Sequence, residues 1–466
     1  MNKFLGSCFL LFAFCFLLSS CKKDSFITSA QARLTISADS LKYDTVFTTT
    51  GSITKSFKII NENSQKLRLS KVKLMGGTAS AYKININGNA ATELNNIEID
   101  ANDSIYVFAS VAINPNAANQ PFIVSDSILI NYNGNDRFVQ LQAYGQNAIY
   151  LTNKVITGNV TWTNTLPYVI LKSIRVDTTA TLTIQPGTKI YSHADAPFIV
   201  DGSLIVNGIK NNEVVFAGDR LDNDYKDLPA GWPGIYFRGN SKNNRLQFAV
   251  IKNAYQAVVA TSPSINANPK IILQQCIIDN AYDAGILAAN TSLYANNSLI
   301  SNCGSNIVLI YGGDYNFINC TAASFSNLYL LHKNPVLSVS NFATQGGATV
   351  TANLNATFRN CIFWADSGFV NDEVVVSKLG TTNFFVLFEK NLYRAKNDPA
   401  NSTLTANLKN LDPLFDNIDA SKRLFDFRIT TTGAPGINKG VLTTFTKDLD
   451  DNNRNNGLPD LGCYEK

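Results

Sequence analysis

The sequence predicts an all-β protein in two parts, a β-sandwich over residues 31–148 and a β-solenoid over 150–410, with a closing segment over 411–466. Three observations carry this. Residues 31–148 alternate apolar and polar side chains in short runs broken by Gly, Asn and Asp, the pattern of half-buried strands joined by tight turns. Further on, "FAVIKNAYQAVVA" (248–260) and "QCIIDNAYDAGILAAN" (275–290) match nearly column by column, with Ala249 over Cys276, Ile251 over Ile278 and Asn253 over Asn280. Their apolar and small positions recur while their charges do not, as in a stacked repeat. Finally, β-branched and aromatic residues are plentiful and Met is nearly absent, at 2 of 466 residues, which suits strands better than helices.

The chain opens with "MNKFLGSCFLLFAFCFLLSSC", one Lys followed by an apolar run from Phe4 to Leu18. That run has the length of a signal-peptide core and is too short to span a bilayer comfortably. Leu18-Ser19-Ser20-Cys21 resembles the bacterial lipobox. The resemblance implies a signal peptide over 1–20, lipid on Cys21, and a lipidated tether over 21–30. Two or more acyl chains anchor stably, at roughly 0.8 kcal/mol per buried methylene. Lys22 stands where an inner-membrane retention signal would have Asp, which favours the outer membrane and leaves open which way the protein faces. No later apolar run reaches the length of a membrane helix. A net charge of +4 with 16% charged residues gives no case for nucleic acid, and no nucleotide-binding motif is present.

In the first part, "TKSFKIINENSQKLRLSKVKL" reads as strand, Asn-rich turn, strand, within a sandwich of about seven strands. It resembles the immunoglobulin-like modules of the hydin and major-sperm-protein type. A plain structural stalk is the favoured reading, with an adhesion module as the alternative.

In the second part, the aligned positions Ala249, Cys276, Ser298, Cys320 and Cys361 are spaced 27, 22, 22 and 41 residues apart. A unit of about 22 residues with inserted loops is one solenoid coil of three short strands, identical positions stacking about 4.8 Å apart. Such a column admits only residues of similar size, and all five are small. Asn253, Asn280 and Asn302 form a second column, an amide ladder at a turn. Cys303 falls over Ala254 and Ala281. Stacked free thiols are expected in preference to disulfides or a metal site, because no Cys-x-x-Cys or His partner exists. "LTIQPGTKI", "IVDGSLIVNG" and "GWPGIYFRG" resemble the opening coils of the pectate-lyase-like superfamily, which implies a single-stranded right-handed parallel β-helix. "DPLFD", "APGINKG" and "DLGCYE" resemble the closing segment of bacterial surface β-helix proteins, and such a tail is expected to cap the last coil.

Enzymes of that superfamily cut acidic polysaccharides with carboxylates and a Lys or Arg. The densest local match is "AGDRLDNDYKDLPAGW", with Asp219, Asp222, Asp224, Asp227 and Lys226 as catalytic candidates and Trp232 as a sugar platform. A solvated loop is the favoured alternative. Asp448, Asp450 and Asn452 have the spacing that opens a Ca²⁺ loop, without its Gly or distal Glu, so an Asx-rich turn is favoured there. No cofactor is required by this reading, Ca²⁺ being the one candidate. His193 and His332 read as structural. The expectation is a single-copy, lipid-anchored envelope protein whose β-helix presents an extended surface to a polysaccharide or an envelope partner. The alternatives are a polysaccharide lyase or glycosidase, and a purely structural protein. An enzyme would bring acidic residues of separate coils together with a Lys or Arg in one groove. A binding module would line such a groove with aromatics and no paired carboxylates.

Overall fold

The computed structural model describes residues 25–48, 51–115, 121–366, 368–454 and 457–466. The signal segment, Cys21 and Lys22 lie outside them. The chain divides into two compact units between Asn147 and Ala148.

The first unit is a sandwich of a six-stranded and a five-stranded sheet. Among its described residues there are eight strands of five residues or more and three shorter edge pieces, against the seven expected. The alternation places the core. Lys66–Leu74 turns Leu67, Leu69, Val72 and Leu74 inward, and Ser104–Val111 buries Ile105, Val107, Ala109 and Val111 against them. The Asn-rich turn is fixed by Asn61, fully buried, whose amide donates to the carbonyls of Gln65, Ile99 and Asp100 at 2.9, 3.1 and 2.8 Å. A buried amide with three acceptors locks the turn in one geometry.

The second unit is a parallel β-helix built on one 26-stranded sheet. Three columns of strands stack along it. The first includes Thr181–Ile184, Ser203–Asn207, Asn244–Gln247 and Ile271–Gln274. It continues through the second halves of Ala284–Asn296 and Ser305–Ile318, then Leu354–Arg359 and Phe384–Glu389. The second column includes Ala249–Lys252, Ile277–Asp279, Leu299–Ser301, Thr321–Ser324 and Ile362–Ala365. The third includes Gln256–Thr261, the first halves of Ala284–Asn296 and Ser305–Ile318, and Leu337–Ser340.

The register read from the repeat is the register found: Ile251 pairs with Ile278, Ile278 with Ile300, and Ile300 with Ala322. All five members of the small-residue column are buried, and Cys276, Cys303, Cys320, Cys361 and Cys463 are free thiols. Inside the first column Phe317, Phe358 and Phe388 stack at 5.5 and 4.8 Å between centroids. Asn253, Asn280 and Asn302 take positive φ, and the Asn280 amide donates to the Asn253 oxygen at 2.8 Å. Asn tolerates this backbone because its short side chain bonds locally. A second αL column, Gln275, Asn297, Asn319 and Asn360, precedes the Cys column by one residue. The 321–357 excursion is one long coil, carrying a strand at Leu337–Ser340 and an antiparallel hairpin at Phe342–Gln345 and Ala348–Thr351.

The closing segment departs from expectation. It runs along the outer face of the second column instead of covering the last coil. Phe427, Leu449, Cys463 and Tyr464 pack on Leu299 and Ala323, and Leu461 packs on Ile362 and Leu392. Arg454, fully buried, bonds Asn297 at 2.9 Å and Glu465 at 2.9 Å, and the Asn360 amide donates to the Val441 carbonyl at 2.8 Å. The reason is the outward sequence of that column, apolar at Ile277, Leu299, Ile362 and Leu392, which in water would be a long apolar strip. The last coil is left short-edged instead, its strand Thr403–Thr405 exposed throughout.

Candidate functional site

The 219–232 loop follows the strand Val214–Gly218, as an insertion between early coils. Its charges have local partners. Asp219 receives His193 Nδ1 at 2.8 Å, Asp222 pairs with Arg220 at 2.9 Å, and Lys226 donates to Asn223 at 2.6 Å. Asp224 stands exposed, and Asp227 lies 3.8 Å from Arg423. Arg220 lies over the Tyr225 ring at 3.8 Å. Trp232 is no platform. Its indole is 1% exposed inside the helix core, where its N–H donates to the Lys252 carbonyl at 2.9 Å. The aromatic that sequence placed on the surface is the filler of an early coil.

The Asp448, Asp450 and Asn452 spacing does not build a cation cage either. Asp448 is buried and accepts the backbone N–H of Asn452 at 2.6 Å and of Glu465 at 2.8 Å. Asp450 is held between Lys210 and Arg428, the latter at 2.7 Å. Both carboxylates are occupied by the protein's own donors. Among the described residues no group of three or more His, Cys, Asp or Glu side chains is placed to hold a metal ion. His332 is also structural, its Nε2 3.0 Å from both oxygens of the fully buried Glu373, which Arg394 meets at 3.2 Å.

An open concavity lies elsewhere, at the corner between the third and first columns. A groove of about 740 Å³ crosses five successive coils there. Coil length explains it. Its floor, Asn290–Ser292 and Gly313–Asp314, belongs to the two minimal coils of 22 residues. Longer coils rise on either side, bringing Pro263 and Ser264 to one end, and Asn353, Asn355, Asn383, Phe384 and Phe385 to the other. Gly313 fixes the backbone of the floor. At φ 122° it has a conformation closed to other residues, and a Cβ there would meet the Thr291 carbonyl at 2.4 Å.

The floor is a ladder in register: Ser292 pairs with Asp314, Asp314 with Asn355 and Asn355 with Phe385, in steps of about 4.8 Å. Asp314 accepts the Tyr294 hydroxyl at 2.8 Å and the Asn355 amide at 2.7 Å. Burial, and then this carboxylate, push the Tyr294 phenol up to about 12, so it stays a donor at neutral pH. Thr291 is 2% exposed and its hydroxyl makes no hydrogen bond within the protein. Among the described residues, Asp314 is the one acidic side chain lining the groove, and no Lys, Arg or His lines it. A neighbouring cavity of about 330 Å³, lined by Arg245, Tyr294, Asn316 and Phe445 among others, continues the same outer face.

Sequence reasoning missed Asn290, Asp314, Asn355 and Phe385, because no motif joins residues that lie 24 to 41 positions apart. The available signal was the interval series itself, two minimal coils flanked by longer ones.

No family model matches the chain, and no curated protein matches it. Among solved structures, a family 123 glycoside hydrolase from Clostridium perfringens, studied for glycolipid glycan hydrolysis, is similar at 13% identity with a TM-score of 0.20. The similarity covers 28% of this chain and 30% of that one. The chain thus spans under a third of that protein, and a likeness of this size carries neither its fold nor its activity over.

Proposed function

We propose that this protein is a lipid-anchored envelope protein whose β-helix binds glycan in the groove over Asn290–Ser292 and Gly313–Asp314, without cleaving it. The observation that carries the reading is the make-up of that groove. Residues of five coils converge on it, with the exposed Phe385 ring, four Asn side chains and one carboxylate. Glycosidases place two carboxylates about 5 to 9.5 Å apart across the bond, and a second one is missing here. A general base for lyase chemistry would be a Lys or Arg, and among the described residues none lines the groove. What the groove offers is aromatic surface plus amides that both donate and accept, which suits the hydroxyls and apolar faces of a sugar. Leu18-Ser19-Ser20-Cys21 supports the anchor.

One fractionation experiment tests both halves. Expressed full-length in a Gram-negative host, the protein should carry glycan-binding activity into the membrane fraction. Cys21→Ala should move that activity to the soluble fraction, and Phe385→Ala should weaken it about tenfold or more in either, as loss of a central aromatic anchor does. Release of unsaturated uronide from any bound polysaccharide would show a lyase and sink the non-catalytic reading. Binding that ignores Phe385→Ala would remove the groove from it.

A further inference from the structure

We propose that the groove selects uncharged oligosaccharides and discriminates against polyuronates; this rests on the glycan-binding reading above and adds the ligand's charge class. The argument is electrostatic. Among the described residues, Asp314 is the one ionisable side chain lining the groove, and it sits mid-floor, in register between Ser292 and Asn355. Its two oxygens are engaged by a phenol and an amide, both neutral, so its charge is oriented without being cancelled. Lys378 lies over the Phe384 ring at 5.6 Å and Arg245 lines the neighbouring cavity, and neither lines the groove. A carboxylate on a bound sugar would therefore meet a fixed like charge in a partly desolvated trough, where like charges repel more strongly than in water.

The remaining lining asks for neutral polar groups. Asn290, Asn353 and Asn383 offer amide donors and acceptors. Asp314 itself keeps lone pairs free to accept from a sugar hydroxyl, a charge-assisted bond that a sugar carboxylate standing in the same place, with no proton to donate, cannot make.

The test titrates the purified full-length protein with four probes of equal length: xylotetraose, cellotetraose, tetra-N-acetylchitotetraose and tetragalacturonate. At least one uncharged probe is expected to bind, with tetragalacturonate about tenfold weaker or worse. Asp314→Asn should narrow that gap and Asp314→Lys should reverse it, both variants keeping the wild-type far-ultraviolet spectrum. Wild-type protein that binds tetragalacturonate as tightly as the uncharged probes would overturn the charge selection and leave the glycan reading standing. Failure of all four probes, with Phe385→Ala indistinguishable from wild type, would overturn both.

Discussion

Two outer faces of the β-helix share a backbone plan and have opposite fates. The first column faces out with Ser292, Asp314, Asn355 and Phe385 in register, and it is open. The second faces out with Ile277, Leu299, Ile362 and Leu392, and it is strapped by the closing segment. Inside, both columns carry the same kind of apolar residue. The coil geometry therefore leaves function to the outward position. Where that position is apolar the chain returns to cover it, and where it is polar the chain leaves a surface that a ligand can reach.

The largest effect expected from this contrast comes from removing the strap. A chain ending at residue 410 would uncover at least four Leu or Ile side chains, on the order of 6–10 kcal/mol of lost burial. That is a large part of the stability of a typical domain. The truncated protein should aggregate or lose its cooperative unfolding transition. A soluble product with an unchanged midpoint would show that the second face does not need its cover.

A smaller effect separates the two faces by single residues. Arg454 is buried beneath the strap against Glu465, the Gly462 carbonyl at 2.8 Å and Asn297. Arg454→Met leaves a buried carboxylate and a carbonyl without their donor and should cost about 3 kcal/mol in denaturant unfolding. On the open face, Asp314→Asn keeps the shape of a part-exposed group and should stay within about 0.5 kcal/mol of wild type. Equal effects from the two substitutions would erase the distinction drawn between a structural face and a binding face.

The interior of this fold was legible in the sequence, and its exterior much less so. Ile251, Ile278 and Ile300 could be aligned by eye because each coil must fit the one beneath it, so inward residues repeat in size and the register follows. Asn253 and Asn280 were legible because αL corners favour Asn. No such constraint acts on outward residues, so Asp314 and Phe385 carry no mark of sharing a groove. Trp232 misled because an aromatic beside an acidic loop looks like a platform, whereas its position after the insertion returns it to the core. The path of residues 411–466 was hidden for a further reason. Their apolar residues state that a surface is covered and do not say which one.

An effect smaller than that of Arg454→Met belongs to the interior that both faces share. Burial among apolar side chains pushes the Cys276 thiol up to about 12, from an ordinary value of 9.0. Between those values the unfolded chain gives up a proton that the native chain keeps. The native state then binds more protons, and stability falls as pH rises. Thiol burial thus contributes fully below pH 9 and is progressively lost toward pH 12. Ala249 occupies the same column one coil earlier, so Cys276→Ala should be accommodated while removing the titration. Between pH 8 and pH 10 the wild type should lose on the order of 1 kcal/mol more than the variant, read from denaturant midpoints. Parallel pH profiles would mean that the thiol reaches solvent and that the interior is looser than its packing implies.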